Sequence, residues 1–297
     1  MKTIDDIKTV LVAGAGTLGL RIALRCAFDG YRVKMFDVSE KQLDTAQAMQ
    51  AKLTRGLLKA AKIDQQQADF AAQNLAVTTD INEAVKGVDL ISESVTENLE
   101  LKRAFYADLT PRLAPDVVVT TNTSYLLPSQ LLDSIQQPEA FCALHFHDVF
   151  NQGVVDVMPH PGTDQRVIDL LMEFGKRINQ IPVFVQKENP GYMFNAMLMS
   201  ILSQAATLLT NGVGSIQDID RSFMGNFGTM AGPFGMMDQV GLDTVLHIVS
   251  ARDDAQSVAF TEVIRSYVDQ GKLGYKTGQG FYHYPGPEYA QAEFLKA

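Results

Sequence analysis

The chain has 297 residues, 46% hydrophobic and 20% charged, with a formal net charge of −9 at pH 7. The length gives room for a large core and two domains, and the acidity, spread along the chain, argues against a nucleic-acid or anionic-membrane partner. The two cysteines, Cys26 and Cys142, fall in apolar stretches without metal-ligand spacing, which suits a reducing, cytoplasmic setting. No signal peptide fits the acidic N-terminus.

Residues 10–13 form an apolar run that reads as a buried parallel strand, followed by Gly14, Gly16 and Gly19 in G-x-G-x-x-G spacing and then a helical apolar pattern. Gly14 suits the tight turn, Gly16 lets a pyrophosphate approach the backbone, and Gly19 lets helix pack on strand. The turn residues Gly14, Gly16, Thr17, Leu18 and Gly19 are therefore the expected phosphate cradle, at a helix N-terminus. A second strand, 33–36, ends at Asp37, whose carboxylate can accept from the adenosine ribose hydroxyls. It would repel a 2′-phosphate, so the cofactor expected is NAD.

Ser39 is a plausible N-cap for a helix running to about residue 61. Its Lys41, Lys52, Arg55 and Lys59, with Lys62 beyond, read either as a solvated face or as a handle for an anionic substrate tail. A polar segment, 64–74, and a short strand, 75–77, follow. The strand 88–92 leads into Glu93, Glu97 and Asn98 at the start of a helix over 99–109. Ligands in doubly wound sheets lie beyond the carboxyl ends of strands. That places Glu97 near a cofactor ribose, unless it only complements the helix dipole, with Lys102 one turn on. Strand 117–121 opens into a polar loop holding Asn122 and Ser124, Pro128 opens a short helix, strand 141–146 carries His145 near its end, and strand 154–158 holds one acid, Asp156. A helix over 164–177 and a strand over 180–185 complete this half.

Beyond residue 186 the pattern is helical: 192–209, 216–224, one long apolar helix over 236–249, and 258–270, before a glycine-punctuated loop at 272–282. The stretch 192–209 carries Asn195, Ser200, Ser203 and Gln204, too polar for a membrane span, and is expected to be a buried core helix. The fold expected is an α/β Rossmann domain with a doubly wound, mostly parallel sheet, residues 1–186, and an all-α C-terminal domain, residues 187–297.

Oxidation of an alcohol by a nicotinamide needs a base near the hydroxyl proton, and histidine titrates near neutrality. Of the five histidines only His145 ends an apolar strand on the ligand side, with Asp156 as the acid that would orient it. The residues alone leave this even with a satisfied core histidine. No metal is expected: His145 and His147, one residue apart, are expected to project from opposite faces of the strand and so not to converge on an ion.

The chain as a whole resembles the 3-hydroxyacyl-CoA dehydrogenase family. The resemblance rests on G-A-G-T-L-G (14–19), E-S-V-T-E-N-L-E-L-K (93–102), N-T-S-Y-L (122–126), L-H-F (144–146), V-D-V (155–157), E-N-P-G-Y-M-F-N (188–195), A-G-P-F-G-M-M-D-Q-V-G-L-D (231–243) and the closing K-L-G-Y-K-T-G-Q-G-F-Y (272–282). It implies that His145 is the catalytic histidine, that Ser124 hydrogen-bonds the substrate oxygen, and that Asn195 faces the reacting group. It further implies that Glu97 and Lys102 lie near the nicotinamide ribose, that Asn122 belongs to the cofactor site, and that the protein is a homodimer through its helical domain. The substrate would be a small molecule, a 3-hydroxyacyl-CoA such as 3-hydroxybutyryl-CoA, turned over in fatty acid metabolism. Two features depart from the family's pattern. After His145 the family reads H-F-F-N-P, where this chain has H-F-H-D-V-F-N-Q-G, and Asp156 stands where the family has Glu. This segment is expected to form part of the substrate-pocket wall. The departures keep open a substrate without CoA, such as a sugar acid or diketo ester, and a crystallin-like role in which NAD(H) is bound without turnover.

Overall fold

A computed structural model describes residues 2–250 and 253–296. The chain forms two compact units, Met1–Met193 and Phe194–Ala297. In the first, the elements run β1 (Thr9–Ala13), α1 (Thr17–Phe28), β2 (Arg32–Phe36), α2 (Glu40–Lys59), α3 (Gln65–Asn74), β3 (Leu75–Thr78), α4 (Ile81–Val85), β4 (Leu90–Glu93), α5 (Leu99–Leu109), β5 (Val118–Thr121), β6 (Phe141–Phe146), β7 (Val154–Met158), α6 (Gln165–Arg177) and β8 (Ile181–Phe184). The second holds α7 (Phe194–Thr210), α8 (Ile216–Phe227), α9 (Pro233–Val240), α10 (Leu242–Ser250) and α11 (Ala255–Val268).

The eight strands make one sheet in the order β3-β2-β1-β4-β5-β6-β7-β8. Every pairing is parallel except β6 with β7, whose antiparallel register sets His145 opposite Asp156. Parallel strands covered on both faces must be apolar throughout, and β1, β4, β5 and β6 are buried along their whole length. One core layer packs α1, α3 and α6 on the sheet, and another packs α4 and α5 on the opposite face, around Leu11, Ile91, Tyr106 and Phe141. The reversal of strand order between β1 and β4 opens the crevice in which such folds bind dinucleotides.

Two expectations about the elements are corrected, and one segment that the sequence pattern does not assign is defined. The polar segment 64–74 is a helix, α3: Asp64 caps it by accepting from Gln67 N–H while Gln67 reaches back to the Asp64 amide, and Ala68 and Ala71 supply a small buried face. The single helix expected over 236–249 is two, because Gly241 takes φ +101° between α9 and α10. Finally, α7 is buried on one side only. Leu202, Ala205 and Ala206 are in the core, whereas Met197 and Ile201 are exposed. No helix among the described residues is long and apolar enough to cross a membrane.

Candidate active site

The glycine turn is built as its spacing requires. Gly14 sits at φ +106°, and a Cβ there would strike the Ser94 carbonyl; a Cβ on Gly19 would strike the Gly14 carbonyl oxygen. A Cβ on Gly16 would meet no protein atom within 4 Å. Gly14 and Gly19 thus serve the packing of α1 against the ends of β1 and β4, and Gly16 leaves open space for a ligand. The first helical bond is Leu20 N–H to the Gly16 carbonyl, so the amides of Thr17, Leu18 and Gly19 have no acceptor within the helix. Asp37 accepts from the amides of Ala15 (2.9 Å) and Ser39 (2.9 Å), which fixes its carboxylate beside the turn. Around them lies a cleft of about 530 Å³ lined by Gly14, Gly16, Phe36, Asp37, Val38, Ser39, Gln42, Ser94, Val95, Thr96 and Phe105. The Ser94 hydroxyl is buried without a protein partner. An open glycine, three free helix-end amides and an acid at the neighbouring strand end fit NAD, and among the lining residues no lysine or arginine is present to receive a 2′-phosphate.

Beyond the cleft, Glu93 at the end of β4 organises the strand ends. It is fully buried and accepts from Val95 N–H (2.7 Å), Lys102 Nζ (2.6 Å), Tyr106 OH (2.9 Å) and Thr121 Oγ1 (2.7 Å). Lys102, 1% exposed, gives its remaining contacts to the Val95 carbonyl (3.2 Å) and to Glu97 Oε2 (3.4 Å). Glu97 also accepts from the Thr123 hydroxyl and from the amides of Ser124 (2.9 Å) and Tyr125 (3.2 Å). Burial opposes its charge, but the Thr123 hydrogen bond, Lys102 and the two amides outweigh that and hold its carboxyl below the usual range. Lys102 is thus a buried brace between Glu93 and Glu97. Asn122 likewise turns inward, its Oδ1 accepting from Phe146 N–H (2.8 Å), so it ties the end of β5 to the end of β6.

The structure brings Ser124, His145 and Asp156 into one line. Ser124 Oγ is 3.3 Å from His145 Nε2, and His145 Nδ1 is 3.4 Å from Asp156 Oδ2. Burial pushes the His145 imidazole below its usual value; Asp156 and Glu97 pull it back up and His147 pushes it further down, with a net lowering. Burial also opposes the charge of Asp156, yet its hydrogen bonds with the two histidines hold it below the usual carboxylate range. Asn195 stands in the first turn of α7, half-buried, in the second unit.

Three features of this site were not anticipated. Tyr192 stacks on His145, ring centroids 4.6 Å apart and planes 18° from parallel, and its hydroxyl donates to the Thr123 carbonyl (2.7 Å). It reaches that position through a left-handed backbone, φ +54°, after Pro190-Gly191. His147 Nε2 lies 2.7 Å from Asp156 Oδ2, and its ring meets that of His145 edge-on at 4.5 Å. The expectation that the two histidines diverge is therefore wrong. Residues i and i+2 of a strand share a face, and the ligand-type atoms of His145, His147 and Asp156 lie within 4.8 Å of one another. Those atoms are hydrogen-bonded to each other and to Ser124, and the three side chains are close enough together to ligate one ion. Third, the segment after His147 is tied to α1 and to Lys62. Asp148 pairs with Arg21 on α1 (2.6 Å), Phe150 packs against Phe28 beneath Arg21 and Arg25, and Lys62 binds the Phe150 carbonyl and Asn151. Of that departure from the family pattern, only His147 has a site residue as its contact.

Comparison with known proteins identifies the family. The model of the 3-hydroxyacyl-CoA dehydrogenase NAD-binding domain matches residues 9–189, and that of the family's C-terminal domain matches residues 191–284. A mitochondrial hydroxyacyl-coenzyme A dehydrogenase of Rattus norvegicus is 32% identical over 94% of this chain and 91% of its own length. A probable 3-hydroxyacyl-CoA dehydrogenase of Caenorhabditis elegans is 30% identical over 94% and 97%. Among solved structures, a diketoreductase has a TM-score of 0.89 at 35% identity, covering 96% of this chain and 100% of its own. The (S)-3-hydroxybutyryl-CoA dehydrogenase PaaH1 of Ralstonia eutropha has 0.84 at 27%, covering 94% and 99%. With both domain models matched in order, the chain belongs to the 3-hydroxyacyl-CoA dehydrogenase family and is an NAD-dependent oxidoreductase.

Proposed function

We propose that this chain interconverts a 3-hydroxyacyl-CoA and the corresponding 3-ketoacyl-CoA, with His145 as general acid and base. The observation that supports this most directly is the line Ser124–His145–Asp156 at the strand ends, next to the braced Glu97. The cofactor held by the glycine turn and Asp37 would supply the hydride acceptor for oxidation as NAD and the hydride donor for reduction as NADH. His145 Nε2 takes the hydroxyl proton in oxidation and gives a proton to the ketone oxygen in reduction. Its lowered pKa leaves the imidazole neutral at pH 7, ready as a base. Nδ1 faces Asp156, so the neutral tautomer carries its proton there, a tautomer assigned from the hydrogen-bond network. Ser124 and Asn195 orient the substrate oxygen, and Asp156 stabilises the imidazolium that forms. Tyr192 covers one face of the ring and restricts its rotation.

In this reading Asp37 receives the adenosine ribose, and the amides of Thr17, Leu18 and Gly19, above the open Gly16, receive the pyrophosphate. Glu97, held by Lys102, faces the nicotinamide ribose, while Asn122 supports the cofactor site by fixing the strand ends. The protein works in the cytoplasm as a homodimer. The second unit supplies the pairing surface: Met197, Val213, Phe227 and Met230 are 59%, 68%, 72% and 92% exposed, an apolar display that isolated soluble domains avoid. A single elution species at the monomer mass in light scattering would contradict the dimer.

One observation favours a substrate without CoA: the diketoreductase structure is more similar, at 35% identity and TM-score 0.89, than the 3-hydroxybutyryl-CoA dehydrogenase of Ralstonia eutropha, at 27% and 0.84. The deciding experiment follows NADH absorbance with acetoacetyl-CoA beside free acetoacetate, 3,5-diketo esters and oxidised sugar acids. Strong preference for acetoacetyl-CoA supports the proposal. Turnover of only the compounds lacking CoA replaces it with the second reading.

A further inference from the structure

Asp156 has two histidine partners on the same oxygen. His147 Nε2 is 2.7 Å from Oδ2, and His145 Nδ1 is 3.4 Å from it. The nearer partner is the one that does not face Ser124. Both histidines and the acid are largely enclosed, with side chains 5%, 11% and 2% exposed for His145, His147 and Asp156, so water does little to dilute their mutual influence. The geometry follows from the backbone: β6 sets His145 opposite Asp156, and His147, whose N–H still pairs with the Val154 carbonyl (3.2 Å), follows two residues on along the same face and meets the same carboxylate. The segment that follows is fixed by Asp148 on Arg21 and by Phe150 under Arg21 and Arg25. His147 is therefore held against Asp156.

We propose that His147 is a positioning residue for the reaction: by taking the shorter hydrogen bond to Asp156 it limits how far that carboxylate can stabilise a protonated His145, and so favours His145 as a base over His145 as an acid. The inference rests on the reading of His145 as the acid–base group. The physical reason is that one carboxylate oxygen shared between two donors gives each less than it would give one alone. When His147 is itself protonated, it neutralises Asp156 and repels a second positive charge 4.5 Å away, ring centre to ring centre. The charged and titratable groups acting on His145 are Asp156, His147 and Glu97, with Lys102 paired to Glu97 and Tyr192 stacked on the ring. Asp156 and Glu97 favour protonation of His145, and His147 opposes it by its charge.

The test compares the full-length protein with His147→Phe and His147→Gln. Phe removes the competing donor, and Gln keeps a donor that does not titrate. Each is measured in two ways: imidazole titration by NMR, and the pH dependence of NADH-linked ketone reduction with acetoacetyl-CoA and with a 3,5-diketo ester. Thermal melts and NADH binding check that both variants fold. In His147→Phe the His145 resonances should titrate at higher pH, and reduction at pH 8 should rise at least about threefold relative to its rate at pH 6, compared with the same ratio in the parent protein. His147→Gln should shift less. An unchanged His145 titration in His147→Phe overturns the proposal. A shifted titration with an unchanged rate profile leaves the coupling standing and removes His145 from the chemistry, so failure here is separable from failure of the reading on which it rests.

Discussion

Both units bury carboxylates, and they satisfy them differently. In the first unit the buried Glu93 is paired with the ammonium of Lys102, and Asp156 is held by two imidazoles. In the second unit Asp220 and Asp238 are equally buried but receive only amide and phenol donors. Asp220 accepts from the amides of Phe234 and Gly235 and from Tyr282 OH, and Asp238 from the amides of Phe281 and Tyr282 and from Tyr284 OH. Burial then prevails over these donors. Asp220 is pushed up to about 6, and Asp238 is raised as well. Asp156, given imidazoles, is held below the usual carboxylate range, whereas Asp220 and Asp238, given neutral donors, are raised and tie loops together. The closing glycine loop shows the second use: a Cβ on Gly274 or Gly280 would collide with Asp238, so those glycines let the 272–282 segment close over a buried carboxylate.

The sharpest break between the two sets is at His145. His145→Ala should lower turnover about 100- to 10,000-fold with NADH binding intact, because it removes the acid–base group itself. A near-parental rate would take the histidine out of the mechanism. Next in size is Lys102→Met, which leaves Glu93 buried without its cation. Loss of one partner of a buried pair costs about 3–5 kcal/mol, read as a lower urea midpoint for the first unit together with weaker NADH binding as Glu97 is released. A midpoint moved by less than about 1 kcal/mol would mean that Lys102 is not a brace.

The second unit should respond to pH instead. Asp220 holds its proton more tightly when folded than when unfolded, so its contribution is fully present below about pH 4 and is lost as pH rises through about 6. Over that window the contribution is about 3 kcal/mol. Asp220→Asn should reduce that slope in melts recorded from pH 4 to 7, leaving the part due to Asp238, and an unreduced slope would place its origin elsewhere. The smallest expected effect is at Asp37. Losing a charged hydrogen-bond acceptor costs about 1.5–3 kcal/mol, so Asp37→Ala should weaken NADH about 10- to 100-fold and NADPH far less. Equal weakening of both would refute its ribose contact.

Much of this was legible in the sequence because it rests on local signals. The glycine turn, Asp37 at a strand end, Asn98 before α5 and the apolar run of β6 each carry their own signature, and α5 spans the residues its pattern marks out. What was hidden depends on backbone reversals and on pairing between distant strands. Tyr192 reads as the start of a helix, yet it lies before α7 in a left-handed conformation that lays its ring on His145. Pro190-Gly191 was the signal available for that turn. Glu93 reads as one acid among several, and its role appears only when β4, β5 and α5 converge. His147 was misplaced by an error of face, because strand periodicity puts it on the same side as His145.

The central claim, that one histidine of lowered pKa serves both directions of hydride transfer, is tested most directly by the pH dependence of kcat/KM measured in oxidation and in reduction on the same preparation. The account predicts two mirrored limbs with one common midpoint below the ordinary histidine value, oxidation falling as pH drops through it and reduction falling as pH rises through it. Limbs at unrelated pH values, or limbs that survive in His145→Ala, would contradict it.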